Sequence, residues 1–134
     1  MIPIRGAPPA WAWFPRQPSP RAHRLDAALS ARAAALWTQY FVYPTIAGAP
    51  GRPVPAGRMD APPVYWSSRL GVRAPVHART YSWGIVLSRR AVGRVRRAHR
   101  PLWLRQLLLH ELLHWAGYAH DAAFRAAARR LGTW

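Results

Sequence analysis

From His110 to Asp121 the chain reads His-Glu-Leu-Leu-His-Trp-Ala-Gly-Tyr-Ala-His-Asp, gathering His110, Glu111, His114 and His120 in one short stretch. On a helix of about 3.6 residues per turn, side chains four apart project from one face. His110 and His114 can therefore grip a single metal ion. Zinc accepts neutral imidazole nitrogens in a tetrahedron, and a catalytic site needs three protein ligands with the fourth position left to water. His120 is the third ligand that this pattern offers. Glu111 directly follows the first ligand and would take a proton from that water as general base.

Such a constellation needs a rigid mount. Leu102, Trp103, Leu104, Leu107, Leu108, Leu109, Leu112, Leu113 and Trp115 make the run up to Ala116 apolar almost all round, the pattern of a buried helix. Pro101 opens it at a position that tolerates proline. The polar residues of its second half are His110, Glu111 and His114. Burying three ionisable groups is costly unless they are paired or bound to a metal, which favours a metal site over a satisfied pair of core histidines. Gly117 is expected to end the helix as a left-handed cap and let the chain bring His120 back. Asp121 suits the N-cap of a last helix, Ala122 to Leu131, with Phe124, Ala127, Ala128 and Leu131 on its inner face and Gly132 closing it. Its alternative role is to orient a histidine from behind. Tyr118 or an arginine is a candidate to stabilise an oxyanion.

Upstream, Leu25, Leu29, Ala33, Leu36, Trp37 and Tyr40 recur at spacings of three and four and predict a first helix over Arg24 to Tyr40. Val64 to Ser68 and Thr80 to Ser88 are rich in aromatic and β-branched residues and read as strands of a small antiparallel sheet. Gly84 would mark a bulge or a close backbone approach. Prolines and glycines between Pro44 and Pro63 predict a long loop. Residues 1–22 form a proline-rich leader with Trp11, Trp13 and Phe14 embedded in it, extended and either flexible or draped over the domain. The expectation is an α+β domain over residues 23–134.

Composition bounds the function. A chain of 134 residues supports one core. Twenty basic residues, all arginine, against four acidic ones give a formal charge of +16. Such a field favours polyanions or acidic partners, with nucleic acid foremost. Arg89, Arg90, Arg94, Arg96, Arg97 and Arg100 stand together with no acid among them, either as a solvated connector or as a phosphate-binding patch. His23, His77 and His99 stand alone among arginines and prolines and are expected to face solvent. Cysteine is absent, which excludes disulfides, thiolate metal sites and cysteine nucleophiles. No run approaches the roughly 20 apolar residues of a membrane span, and a cytoplasmic protein is the expectation.

From Val64 onward the sequence resembles the SprT-like (Spartan-type) zinc metallopeptidase domains. The resemblance rests on Val-Tyr-Trp-Ser-Ser-Arg-Leu, Ile-Val-Leu-Ser, Leu-Leu-Leu-His-Glu-Leu-Leu-His and His-Asp-Ala-Ala-Phe-Arg-Ala-Ala-Ala-Arg-Arg-Leu-Gly. It implies a zincin-like fold with an N-terminal helix, a short sheet, a buried active-site helix and a short C-terminal helix. It also implies His110, His114 and His120 as zinc ligands, with Glu111 as base. A weaker resemblance is to the YbeY-type endoribonucleases, matched at His110, Leu113, His114, Gly117, Tyr118 and His120 but departed from at Glu111 and Ala119. Metzincin peptidases share the histidine spacing but place a methionine turn downstream, where only Gly132, Thr133 and Trp134 follow Leu131.

These readings together predict a zinc-dependent peptidase acting on protein or peptide, brought to DNA or RNA by its arginines. One alternative is a metal-dependent endoribonuclease using the same ligands. Another is a non-catalytic basic nucleic-acid-binding protein with a structural zinc.

Overall fold

The computed structural model describes residues 19–42, 60–71 and 76–134. The expected leader, apart from residues 19–22, and most of the expected long loop lie outside the described residues.

The chain enters through a 3-10 turn, Pro20–Ala22, and a two-residue strand β1, Arg24–Leu25, before helix α1, Ala27–Trp37. The expected helix start at Arg24 is thus displaced. Asp26 is the reason, because its Oδ1 accepts the Leu29 N–H at 2.8 Å and sets the N-cap two residues later. Its Oδ2 accepts from Trp66 Nε1 at 2.8 Å, so one carboxylate starts the helix and ties it to the sheet. Leu25, expected on the buried stripe, sits in β1 instead and is 54% exposed. Ala33, Leu36 and Trp37 are buried as the spacing predicted. A π-helical turn, Thr38–Val42, follows.

The sheet comprises β1, β2 (Val64–Ser67), β3 (Ala78–Tyr81) and β4 (Gly84–Ser88), in the order β1-β2-β4-β3. It is mixed, which corrects the antiparallel expectation for its central pair: β2 runs parallel to β4, with Val64 opposite Ile85. The run Thr80 to Ser88, expected as one strand, reverses at Ser82 and Trp83 into an antiparallel hairpin. That reversal turns β4 parallel to β2 and leaves β3 at the edge. Gly84 is a close backbone approach rather than a bulge. A Cβ there would lie 2.7 Å from Pro63 O, which already accepts the Ile85 N–H at 2.9 Å.

A short helix α2, Arg89–Gly93, leads to the long helix α3, Arg100–Trp115, and α4, Ala122–Leu131, closes the domain. Val64, Ile85 and Leu87 of the sheet pack with Leu36 and Trp37 of α1, with Leu107, Leu108, Leu112 and Leu113 of α3, and with Phe124 and Leu131 of α4. Each buried leucine contributes about 1.5–3 kcal/mol. The first turn of α3 departs from the expected all-round burial, since Leu102 is 61% exposed. Architecture and helix order are those of a small α+β domain. Among the described residues no helix is long and apolar enough to cross a membrane.

Candidate metal centre

His110 and His114 lie one turn apart on α3, where it is flanked by buried leucines on both sides. The helix stops directly after them. Gly117, at φ 109°, donates its N–H to His114 O at 2.9 Å while Tyr118 N–H reaches Leu113 O at 3.0 Å. These are the paired bonds of a glycine-terminated helix. The reversal carries His120 back over α3. Its Nε2 stands 2.9 Å from His114 Nε2 and 3.3 Å from His110 Nε2, and the third edge of the triangle is 3.3 Å. The three histidines form a cluster that could hold a metal ion.

Protonation follows from the other ring nitrogens. His114 Nδ1 lies 2.8 Å from Tyr118 O, and His110 Nδ1 is hydrogen-bonded to the main-chain oxygen of Trp134. Those oxygens accept, so each Nδ1 carries the proton and each Nε2 presents a lone pair. Two lone pairs therefore face one another at 3.3 Å. A proton on His120 Nε2 satisfies one of them, whereas a cation satisfies both. Burial pushes the His114 imidazole down to about 3, against the opposing pull of the Tyr118 oxygen, and burial likewise lowers His110. Both are neutral at pH 7, the form that binds metal.

α4 supplies the backing of the cluster. Asp121 Oδ1 accepts the Phe124 N–H at 2.9 Å, so Asp121 is the helix cap. The capped turn sets the Phe124 ring 4.8, 4.7 and 5.0 Å from the rings of His110, His114 and His120. Gly132, at φ 74°, ends α4 and directs Gly132–Trp134 back along α3. Gln106 Nε2 then donates to Gly132 O at 3.2 Å, and Thr133 Oγ1 donates to Gln106 O.

Glu111 is 4% exposed. Its Oε1 accepts from Thr80 Oγ1 at 3.0 Å, and its Oε2 lies 3.7 Å from His110 Nε2, on the side of the nitrogen triangle. Burial pushes the carboxyl up to about 7, while the Thr80 hydroxyl pulls it down. A carboxyl poised there can take up or release a proton near neutral pH.

The structure thus brings together His110, Glu111, His114 and His120, with Asp121 acting through its cap and Tyr118 through its main-chain oxygen. The arginines are elsewhere. Arg100 opens α3 ten residues before His110, about 15 Å along the axis at 1.5 Å per residue. Its Nη2 donates to Val95 O at 3.0 Å, and Arg89 lies over the Trp66 ring at 5.0 Å. Arg89, Arg90, Arg94, Arg96 and Arg97 are exposed. His77 and His99 face solvent as expected, but His23 does not, because its ring stacks on Trp83 with centroids 5.8 Å apart. Thr80 and the Trp134 oxygen were missed from the sequence. Strand alternation places Thr80 on the face of Ile85, yet no local signal says which side chain of α3 that face meets.

Comparison of the chain with family models, with curated proteins and with solved structures finds no match.

Proposed function

We propose that the protein is a zinc-dependent metallopeptidase of the SprT-like type, with His110, His114 and His120 as zinc ligands and Glu111 as general base. The observation that carries this reading is the pairing of convergent imidazole lone pairs with a buried carboxyl whose Oε2 lies 3.7 Å from the nearest ligand nitrogen. A tetrahedral zinc at about 2.0–2.1 Å from its ligands needs nitrogens about 3.3 Å apart. Two edges of the triangle have that length. Zinc, when bound, acts as a Lewis acid that makes water reactive near neutral pH and polarises the scissile carbonyl.

The chain's own residues do the rest. Thr80 holds Glu111 Oε1, so that Oε2 is left to take the proton of the attacking water and pass it to the leaving amine as the C–N bond breaks. Tyr118 and Trp134 fix the ligand tautomers through their oxygens. Among the described residues β3 is the outermost strand of the sheet and packs beside α3, where Thr80 reaches Glu111. The exposed arginines before α3 supply a sequence-independent attraction to phosphate, which directs the enzyme to protein bound on DNA or RNA.

The same arginines favour a second reading, a metal-dependent endoribonuclease. Incubating zinc-loaded protein with unfolded protein and with RNA, with and without chelator, tests both. Proteolysis that the chelator abolishes, with RNA intact, is the expected result, and the opposite pattern transfers the site to RNA. Glu111→Gln is expected to retain zinc and lower peptide hydrolysis by about 10²–10⁴-fold. Undiminished proteolysis by that variant removes Glu111 from the mechanism.

A further inference from the structure

The two helix histidines of the metal centre are held from behind by different means. The oxygen that meets His114 Nδ1 belongs to Tyr118, four residues on, in the turn that ends α3. Tyr118 N–H is bonded to Leu113 O at 3.0 Å, so the turn that stops the helix also fixes that oxygen. The oxygen that meets His110 Nδ1 belongs to Trp134, 24 residues on and past the end of α4. Nothing local to α3 puts it there.

The segment Gly132–Trp134 lies along one stripe of α3, made by Trp103, Gln106 and His110 at spacings of three and four. Each of its residues meets a member of that stripe. Gln106 Nε2 donates to Gly132 O at 3.2 Å, and Thr133 Oγ1 donates to Gln106 O. Trp134 O accepts from His110, and the Trp134 ring lies 6.3 Å from that of Trp103 and 6.1 Å from that of His110. Thr133 N–H reaches back to Ala128 O at 2.9 Å, which sets the direction in which the segment leaves α4. Burial does little to hold it, since Trp134 is 46% exposed. The hydrogen bonds of Thr133 and Gln106 fasten it.

What this segment controls is the orientation of one ring. The last side-chain torsion of histidine has two broad wells about half a turn apart, which exchange Nδ1 with Cδ2 and Nε2 with Cε1. In one of them His110 turns its Nε2 toward the Nε2 atoms of His114 and His120, each at 3.3 Å. In the other a C–H group faces them. An acceptor at Trp134 O favours the first, because only there does it meet a ring N–H. It also keeps the proton on Nδ1 and the lone pair on Nε2.

We propose that Thr133 and Gln106 are positioning residues of the metal centre, which fasten Gly132–Trp134 to α3 so that His110 presents a bare Nε2. Neither belongs to the nitrogen triangle, and both act through the Trp134 oxygen. Their role rests on the reading of His110 as a metal ligand and is independent of what the metal centre cleaves.

The test reads the His110 ring directly, by long-range nitrogen–proton correlation of the imidazoles in the metal-free full chain, and then zinc affinity by competition with a chromophoric chelator. In the parent, His110 and His114 are expected as Nδ1–H tautomers. Thr133→Val removes the hydroxyl at nearly constant shape. It is expected to shift His110 to a mixture of tautomers, leave His114 unchanged and weaken zinc binding about 10–100-fold, the usual cost of losing an outer partner. Gln106→Leu is expected to act in the same direction, and Thr133→Ser, which keeps the hydroxyl, to match the parent in both readouts. Ser30→Ala removes a hydroxyl that fastens α1 to β2 by accepting the Val64 N–H at 2.9 Å, and it should move neither readout. The proposal is overturned if His110 keeps its tautomer in both Thr133→Val and Gln106→Leu, or if both bind zinc like the parent. A fall for Ser30→Ala as large as that for Thr133→Val overturns it as well, because the effect is then one of stability. A parent without zinc affinity overturns the metal reading and this role together. A parent that binds zinc and responds as expected but leaves peptides intact removes the peptidase reading alone.

Discussion

Imidazoles pack against aromatic rings at two places in this molecule, and their nitrogens are treated in opposite ways. In the cluster of His110, His114 and His120, Tyr118 and Trp134 oxygens occupy two of the Nδ1 positions, and the Nε2 atoms converge to 2.9–3.3 Å. At His23 neither nitrogen has a hydrogen-bond partner, and the ring stacks on Trp83. The first arrangement fixes which nitrogen is bare and where it points, which is what a metal requires. The second leaves both nitrogens sheltered and unpaired, with nothing to fix which of them carries the proton. Hydrogen bonding from behind, rather than burial, separates the two arrangements.

Substitutions should affect the two places to different degrees. The largest effect is expected for His114→Ala, which removes the most buried member of the histidine cluster. Zinc affinity, measured by competition with a chromophoric chelator, should fall by more than the roughly 100-fold upper bound for losing an outer partner. An equal fall for His23→Ala would erase the distinction.

Next comes the pH dependence of the metal-free protein. Burial raises the Glu111 pKa from 4.5 to about 7, so the folded chain binds this proton more tightly than the unfolded one. Its contribution to stability is full below about pH 4.5 and is lost as pH rises to about 7. Urea unfolding of chelated protein across that window should show a decline approaching 1.4 kcal/mol per pH unit, flattened in Glu111→Gln. A flat parent profile would show that Glu111 is not held in a dry site.

Thr80→Val should cost about 1–3 kcal/mol by leaving the Glu111 carboxylate with one oxygen unpaired. It should also push the Glu111 pKa further up, moving the acid limb of any activity profile to higher pH. The smallest effect is expected for His23→Phe, within about 0.5 kcal/mol in thermal or urea unfolding, because no hydrogen bond is lost and the stacked ring remains. A loss as large as that of Thr80→Val would mean that the His23 nitrogens are partnered after all.

Local features were legible in the residues themselves. The i, i+4 histidines, the glycine at which α3 stops, the Asp121 cap and the inner face of α4 each depend on contacts within one or two turns. The four-residue spacing fixes them wherever the helix goes. The expected long first helix failed for a local reason too, since the Asp26 cap begins it at Ala27. Strand order was not legible. The Ser82–Trp83 reversal could be read only as a continuous strand, because a tryptophan in a two-residue turn gives none of the usual glycine or asparagine signals.

What the sequence by itself determined, then, is the grouping of the candidate ligands and candidate base: His110, Glu111 and His114 on one apolar helix, with His120 returned by Gly117. Tertiary structure decided how those groups are tuned. Thr80 meets Glu111 across 31 residues of chain, and Trp134 meets His110 across 24. Tertiary structure also placed His23 against a tryptophan in a distant hairpin. Helical periodicity reports only which residues share a face. Which partner that face finds, and so whether a nitrogen is protonated, bare or unpaired, is set by packing between elements far apart in the chain.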